Sequence, residues 1–398
     1  MPIPLMTFLN ELEDPRRIGA CDHKLIDILM IAICTVISGG ESWQDMETYG
    51  QEKYDWLKTF LELSSGIPSH DTFYRIFCLL NPDKLQACFT LWVKSAFPKA
   101  LSSLGGLTDI VPIDGKVIKG SRDKANGKRA IHMVSAWSAN LGLVLAQKKV
   151  DKKSNEITAV PELLKILDIK GALITADAIS CQKNIAKTCS EQGADYLLAV
   201  KGNQATLQKD IQAAVELHKQ GHPSNEPSES FAEQRNEGHG RQEYRSCRTF
   251  NNIASLSTHK DWQGIKQFGV VQTERTVSGK TTTAQRYYIG SKILTAEKML
   301  LATRTHWQVE NNLHWMLDIT FNEDACQTKD ENAAENLSTL RRIALNILKM
   351  DTKKSGSMRN KRESRLEQSV SGSIIGYLHF RFSLMRKPWF NWCVSPAR

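Results

Sequence analysis

An apolar run, Ile110-Val111-Pro112-Ile113, closes on one acid, Asp114, and is followed at once by Gly115 and Lys116. The pattern returns at Ala172-Leu173-Ile174-Thr175-Ala176, which closes on Asp177. A short apolar run bounded by Gly or turn residues reads as a buried strand reaching its end. An acid is costly there unless a cation or hydrogen-bond donors meet it. A third acid, Glu310, lies in a late helical stretch, His306-Trp307-Gln308-Val309-Glu310-Asn311-Asn312-Leu313-His314. Three carboxylates are hard oxygen donors, the set that suits magnesium or manganese. Two such ions about 4 Å apart activate an attacking oxygen and stabilise a leaving one in phosphoryl transfer. Asp114, Asp177 and Glu310 are therefore candidate metal ligands and catalytic residues.

Each of these residues also has a plain reading. Asp114 alone reads as a turn acid at a strand end. Steps of four put His306, Glu310 and His314 on one helical face. His and Glu there could bind zinc, although the HExxH spacing is absent. Otherwise His306, Asn311 and His314 cap or line the acid site. Trp307 and Trp315 read as core residues more readily than as base-stacking platforms. Glu156 reads as a first-turn helix acid, and Glu323-Asp324 as a solvated pair. Lys116 and the run Lys201-Gly202-Asn203, near strand ends, are candidate phosphate contacts, and Arg241 is a further candidate contact to DNA. No P-loop, no GxSxG and no glycine-rich dinucleotide fingerprint occurs.

The hydrophobic pattern supplies the elements that must hold these residues. Residues 1–104 read as an all-helical domain. Residues 25–36 carry helical spacing and are stopped by Gly39-Gly40; 44–60 and 84–97 read as further helices. Ser69 or Asp71 caps a helix that ends at Asn81-Pro82. A linker follows at 102–108. From 110 to 219 the order is strand, strand, strand, helix, strand, helix, strand, helix, with Asn140-Leu141-Gly142 as a hairpin turn and Ser154 or Asn155 capping the first helix. Three strands joined by hairpins, then two joined through helices, give a mixed α/β sheet covered on both faces. That is the topology of a ribonuclease H-like core, with Asp114 and Asp177 on adjacent strand tips. Pro112 places the start of the ordered ladder near itself. A polar linker at 221–230 leads into a β-rich insertion, about 225–292, with strands at 244–250, 268–276 and 281–289. Residues 295 to about 317 and 332–350 are helical. The catalytic domain is expected to span 105–350, leaving 351–398 as a basic tail.

The chain has 398 residues, 41% of them hydrophobic, and a formal charge of +9, which excludes a disordered or fibrous class. Its apolar stretch 25–39 is too short to span a bilayer and is broken by Asp27. The N-terminus lacks the basic opening of a signal peptide. Nine Cys without a CxxC pair suggest reduced thiols in cytoplasm and argue against a zinc ribbon. Between Arg341 and Lys387, twelve Lys or Arg face three acids, so this segment carries the excess charge. Such a tail is either a solvated end or an attachment to a polyanion.

The ordered motifs Ile113-Asp114-Gly115-Lys116, Lys153-Ser154-Asn155-Glu156-Ile157, Thr175-Ala176-Asp177-Ala178, Val200-Lys201-Gly202-Asn203-Gln204 and His306-Trp307 through His314-Trp315-x-Leu317-Asp318 resemble the H-repeat-associated transposases. These are bacterial insertion-sequence transposases with an Asp-Asp-Glu site on a ribonuclease H-like core. Asp22-His23-Lys24-Leu25 and Gly66-Ile67-Pro68-Ser69-His70-Asp71-Thr72 resemble that family's associated N-terminal domain. The resemblance covers about residues 8–350. It implies that Asp114, Asp177 and Glu310 bind two Mg2+ or Mn2+ ions. It implies that water attacks a DNA strand and the freed 3′-hydroxyl then attacks target DNA. The implied partners are terminal inverted repeats, target DNA and a second copy of the chain, in a bacterial cytoplasm at the nucleoid and away from membranes. The wider group's Tyr, Arg and Lys positions around the catalytic Glu hold Thr303, His306 and Leu317 here, so those roles are unassigned. A stand-alone nuclease and a DNA-binding-only remnant of a decayed element are the alternatives.

Overall fold

The structure, a computed structural model, describes residues 3–17, 19, 21–96, 109–151, 155–219, 229–238, 240–351, 360 and 362. The 102–108 linker, Ser154, most of the 221–230 linker and nearly all of the 351–398 tail lie outside the described residues. The chain divides into two compact units, Met1–Ala96 with Asn336–Arg398, and Phe97–Glu335. Among the described residues, no helix is long and apolar enough to cross a membrane.

The first unit is helical: α1 (Leu5–Leu9), α2 (Leu25–Ile37), α3 (Trp43–Glu52), α4 (Tyr54–Leu57), α5 (His70–Leu79) and α6 (Pro82–Ala96). Helix α2 is apolar on every side and almost wholly buried, as a central helix must be. Gly39, at φ 106°, ends it in a conformation that side chains disfavour. The single helix expected over 44–60 breaks at Lys53, where ψ reaches 18°. Ser69, not Asp71, caps α5 by accepting from the Thr72 N–H at 3.4 Å. Asn336 closes the other end of α5: its Nδ2 donates to the Phe77 and Leu80 carbonyls at 3.0 and 2.9 Å.

The second unit is built on one sheet. In chain order its elements are β1 (Ile110–Ile118), β2 (Ile131–Ser138), β3 (Leu143–Lys149), α7 (Glu156–Ile166), β4 (Leu173–Ala176), α8 (Lys183–Glu191), β5 (Asp195–Val200) and α9 (Ala205–Lys219). Then follow β6 (Glu229–Gly238), β7 (Arg241–Phe250), β8 (Gln267–Val277), β9 (Lys280–Gly290), α10 (Ala296–Val309) and α11 (Trp315–Ile319). A last helix, α12 (Glu331–Met350), starts in this unit. The nine strands lie in the order β3-β2-β1-β4-β5-β9-β8-β7-β6. β1 runs antiparallel to β2 and parallel to β4, and β4 runs parallel to β5. This is the ribonuclease H-like arrangement expected from the strand and helix order.

Two features differ from the expectation. The β-rich insertion continues the same sheet, because β9 pairs with β5 from Leu197↔Gly290 to Val200↔Tyr287. β6, which sequence patterning does not reveal, pairs with β7 along its whole length. Its sequence, Glu-Ser-Phe-Ala-Glu-Gln-Arg-Asn-Glu-Gly, is that of an edge strand protected by charge. Pro112 lies inside β1, yet the β1–β2 ladder begins only at Ile113↔Ala136, so the missing N–H removes no rung. Helix α10 covers one face of the sheet, where Met299, Leu300 and Ala302 pack on Ile110, Leu173, Leu197 and Tyr288.

Candidate active site

Asp114 is not at the tip of its strand. β1 continues to Ile118 beside β2, but its pairing with β4 ends at Ile113↔Ala176. Asp114 and Asp177 are the next residues in that parallel register, so both leave the sheet where β4 stops. Short local bonds fix each carboxylate. Asp114 Oδ1 accepts from the Gly115 N–H at 3.0 Å, and Asp177 Oδ1 from the Ser180 N–H at 3.1 Å. The loop after Asp177 is braced from the β5–α9 turn: Asn203 Nδ2 donates to the Ala178 carbonyl at 2.7 Å and Gln204 Nε2 to that of Cys181 at 3.0 Å. Asn203 therefore braces the loop that carries Asp177.

Glu310 opens a π-helical turn, Glu310–His314, between α10 and α11. Such turns widen a helix locally and recur at functional sites. The extra residue breaks the steps of four. His306 is buried and meets Thr175 Oγ1 on β4 at 3.1 Å, whereas Glu310 and Asn311 are exposed. His314 swings toward the sheet, its Nδ1 3.6 Å from Asp114 Oδ2. His306 is engaged by Thr175 and His314 lies beside Asp114, so no His-Glu-His set forms among the described residues, and the zinc reading is set aside. Burial holds His306 down to about 4, so it is a neutral strut under β4 at physiological pH.

The electrostatics gather a fourth acid. Asp114 is pushed up to about 7, first by burial and then by the like charges of Glu156, Asp177 and Glu310; the Gly115 N–H works the other way. Glu156 is the first residue of α7, whose cap is Asn155, with Oδ1 accepting from the Ile157 N–H at 3.1 Å. Its carboxylate crosses Gly115, and its Oε1 stands 2.9 Å from His132 Nε2 on β2. A Cβ on Gly115 would collide with that carboxylate and come within 2.6 Å of His132 Nε2, so any other residue after Asp114 must push the Glu156 and His132 side chains aside. The only sequence signal for Glu156 is its place in a helix start; nothing local shows that this start abuts β1.

Four carboxylates in one anionic field are the donor chemistry of a hard divalent cation. Among the described residues, no three His, Cys, Asp or Glu side chains are drawn together as a closed metal shell. The geometry is a shared field and not a preformed coordination sphere. One consequence is measurable. A carboxyl near 7 in the fold and 3.8 when unperturbed costs stability as pH rises between those values. A bound cation reverses that cost. Magnesium should therefore raise the unfolding temperature more at about pH 8 than at about pH 5.5. An equal rise at both pH values would remove Asp114 from the cation site.

The remaining candidates are scattered. The Lys116 side chain is buried, and its ammonium contacts Asp318 at 2.7 Å, Asp324 at 2.9 Å and Glu323 at 3.5 Å. It points into the protein, which corrects its reading as a phosphate contact; Glu323 is buried as well and is not part of a solvated pair. Lys201 is exposed beside a hollow of about 100 Å³ next to Asp177. Arg241 is exposed where β7 pairs with Val277, at the end of the ribbon away from β5. Trp307 and Trp315 are exposed, not core; Trp307 lies in the same hollow under the Arg286 guanidinium, 5.5 Å from its centroid.

A ribonuclease H-like sheet with Asp114 and Asp177 on neighbouring strands and Glu310 on the covering helix has the plan of an Asp-Asp-Glu transposase. Residues 105–347 match the Transposase DDE domain family and residues 6–93 the DDE_Tnp_1-associated family. The chain belongs to the Transposase DDE domain family and is an H-repeat-associated member of it. It is 40% identical over 379 residues to the H repeat-associated putative transposase YhhI of Escherichia coli K12, covering 93% of this chain and 97% of that protein. An uncharacterized protein in the dhlA 3′ region of Xanthobacter autotrophicus is 39% identical over 286 residues, 71% of this chain and 93% of that one. The inactive transposase YbfQ of Escherichia coli K12 is 43% identical over 72 residues, 18% of this chain and 86% of that protein.

Proposed function

We propose that this chain is a DNA transposase that cuts the ends of its own element and joins them to target DNA. One observation carries the reading: Asp114 and Asp177 leave the ribonuclease H-like sheet at adjacent positions where β4 stops, and the charges of Glu156, Asp177 and Glu310 all bear on the Asp114 carboxyl. Asp114, Asp177 and Glu310 would hold two Mg2+ or Mn2+ ions, with Glu156 beside Asp114. When bound, the ions supply an activated water and stabilise the leaving oxygen. The protein supplies position. His314 steers Asp114, Asn203 and Gln204 hold the Asp177 loop, and His306 seats the Glu310 helix on β4. Lys201, Arg286 and exposed Trp307 offer cations and a ring face beside Asp177, a surface suited to DNA. The active assembly is a homodimer on paired element ends, in the bacterial cytoplasm at the nucleoid.

A DNA-binding-only remnant has one observation in its favour. Positions 303, 306 and 317 hold Thr, His and Leu, all buried, so none presents a cation to a DNA end. Terminal-repeat DNA in magnesium separates the readings. The transposase nicks at the repeat boundary and then joins the freed end to a second DNA. Nicking without joining identifies a nuclease, and binding without nicking identifies the remnant.

A further inference from the structure

A second cleft in the second unit shares no lining residue with the hollow beside Asp177 and plays no part in the chemistry above. It encloses about 370 Å³ between the loop joining β1 to β2, the start of β2 and the end of β3. Its inner wall includes His132, the residue that stands 2.9 Å from Glu156 across Gly115 from Asp114. Its floor is apolar, with Val117, 44% exposed, beside Ala130, Ile131 and Val150. Its rim carries five cations, Arg122, Lys128, Arg129, Lys149 and Lys329, against two acids, Asp151 and Glu331.

The rim charges are of two kinds. Lys149 is held by Glu331 and Glu335 at 3.2 and 2.6 Å, and Lys329 donates to the Gly120 and Arg122 carbonyls at 2.6 and 2.8 Å. These two are structural. Arg122, Lys128 and Arg129 are exposed, and among the described residues neither Arg122 nor Arg129 has an ion-pair partner. The loop that presents them is braced, not loose. Asp123 and Lys128 form an antiparallel bridge with bonds of 3.2 and 2.8 Å. The Asp123 carboxylate accepts from the Asn126 N–H and Nδ2 at 3.2 and 2.7 Å, and Gly127 turns the chain at φ 65°. Ser121 Oγ accepts from the Ile131 N–H at 2.8 Å, closing the root of the loop. Arg122 and Arg129 are the next pair beyond that bridge, so two guanidinium-bearing positions face each other on a fixed backbone.

From this we infer that the cleft seats the sugar-phosphate backbone of duplex DNA leading away from the acid site. The inference rests on the transposase reading and goes beyond it by assigning the surface. A small anion is held by donors that converge on one point. Here the cations follow a rim over an apolar floor, which matches a linear polyanion whose sugars cover the floor. Contacts of this kind set the register of DNA on a protein without reading its sequence. His132 on the cleft wall and Glu156 both lie over Gly115, the neighbour of Asp114, so a backbone lying in the cleft runs toward the acids.

The test uses the full-length protein and a short fluorescent duplex, with binding followed by anisotropy across a range of salt. Each phosphate contact contributes about 0.9 to the slope of log K against log salt. Arg122→Ala with Arg129→Ala should make that slope shallower by about 2. Lys187→Ala, which removes one exposed charge of the α8 pair with Glu191, should leave it unchanged. Both arginines are exposed, so unfolding temperatures should match and a folding defect would be visible if present. Wild-type binding with an unchanged slope in the double variant overturns the cleft and leaves the transposase reading standing. No salt-dependent binding by the wild type overturns both. Tighter binding to an RNA duplex of the same sequence overturns the assignment to DNA.

Discussion

Asp114→Ala should lower strand nicking in magnesium by about a thousandfold or more, the loss expected when a cation clamp worth several kcal/mol is dismantled. DNA binding should survive, because Asp114 carries no positive charge and lies at the inner end of the surfaces that do. The same substitution should stabilise the metal-free fold. Asp114 is half-buried amid Glu156, Asp177 and Glu310, and its carboxyl is pushed up to about 7. A group raised above its unfolded value carries its penalty above pH 7 and loses it as pH falls toward 3.8. Removing it removes the penalty, so the gain in unfolding temperature should be largest at about pH 8. A variant that is inactive yet more stable cannot be explained as a misfolded one, and it marks a site where function opposes stability. Gly115→Ala is the companion change. It leaves all four acids in place but drives a methyl into Glu156 and His132. It should cost about 1–3 kcal/mol of stability, as overpacking does, and depress nicking more than that loss explains. Undiminished nicking by Asp114→Ala would end the assignment.

The sheet order and the adjacency of Asp114 and Asp177 were legible because each depends on local pattern. β1, β4 and β5 are buried on both faces and read as continuous apolar runs, and an acid closing such a run stands out. What was not legible depends on distance or on a change of period. β6 hides because its few apolar residues are set among charges, and its ladder is made by β7. The π-turn hides because one inserted residue leaves composition untouched while rotating every later side chain, which is how Glu310 and His314 part company. Trp307 looks like core on helical spacing alone, but the face it occupies is left open beside Asp177. Glu156 looks like an ordinary first-turn acid. Its importance arises only when α7 is laid across β1 so closely that the Glu156 carboxylate occupies the space a Cβ on Gly115 would take.

Lys116→Met should destabilise the second unit by about 3–5 kcal/mol, the range for removing one partner of a buried ionic cluster. Lys116 has only 6% of its side chain exposed, and Glu323 has none. Its ammonium serves Asp318, Asp324 and Glu323, and Asp324 is shared with Lys119 through contacts of 2.8 and 3.2 Å. Two cations thus meet three acids. Burial pulls the Lys116 pKa down, but Glu323, Asp318 and Asp324 outweigh it and raise it. Asp318 is raised, because burial outweighs the share of Lys116 that it receives. Asp324 is lowered, since two lysines overcome its burial. Lys116 is the cation that Asp318, Asp324 and Glu323 share. Methionine keeps the volume and removes the charge that these three carboxylates share. Their folded pKa values must rise, so the variant should recover stability as pH falls toward 5 and lose it again above 7. The same cluster ties β1, two residues beyond Asp114, to Asp318 in α11, just past the π-turn that carries Glu310. Nicking measured at a temperature where the variant is still folded should consequently be weaker, with the acids all present and only their spacing disturbed. Chemical unfolding of the variant at about pH 5, 7 and 8, read beside nicking under the same conditions, checks both parts. A pH-independent loss of stability would show that the three carboxylates do not depend on Lys116 for their charge.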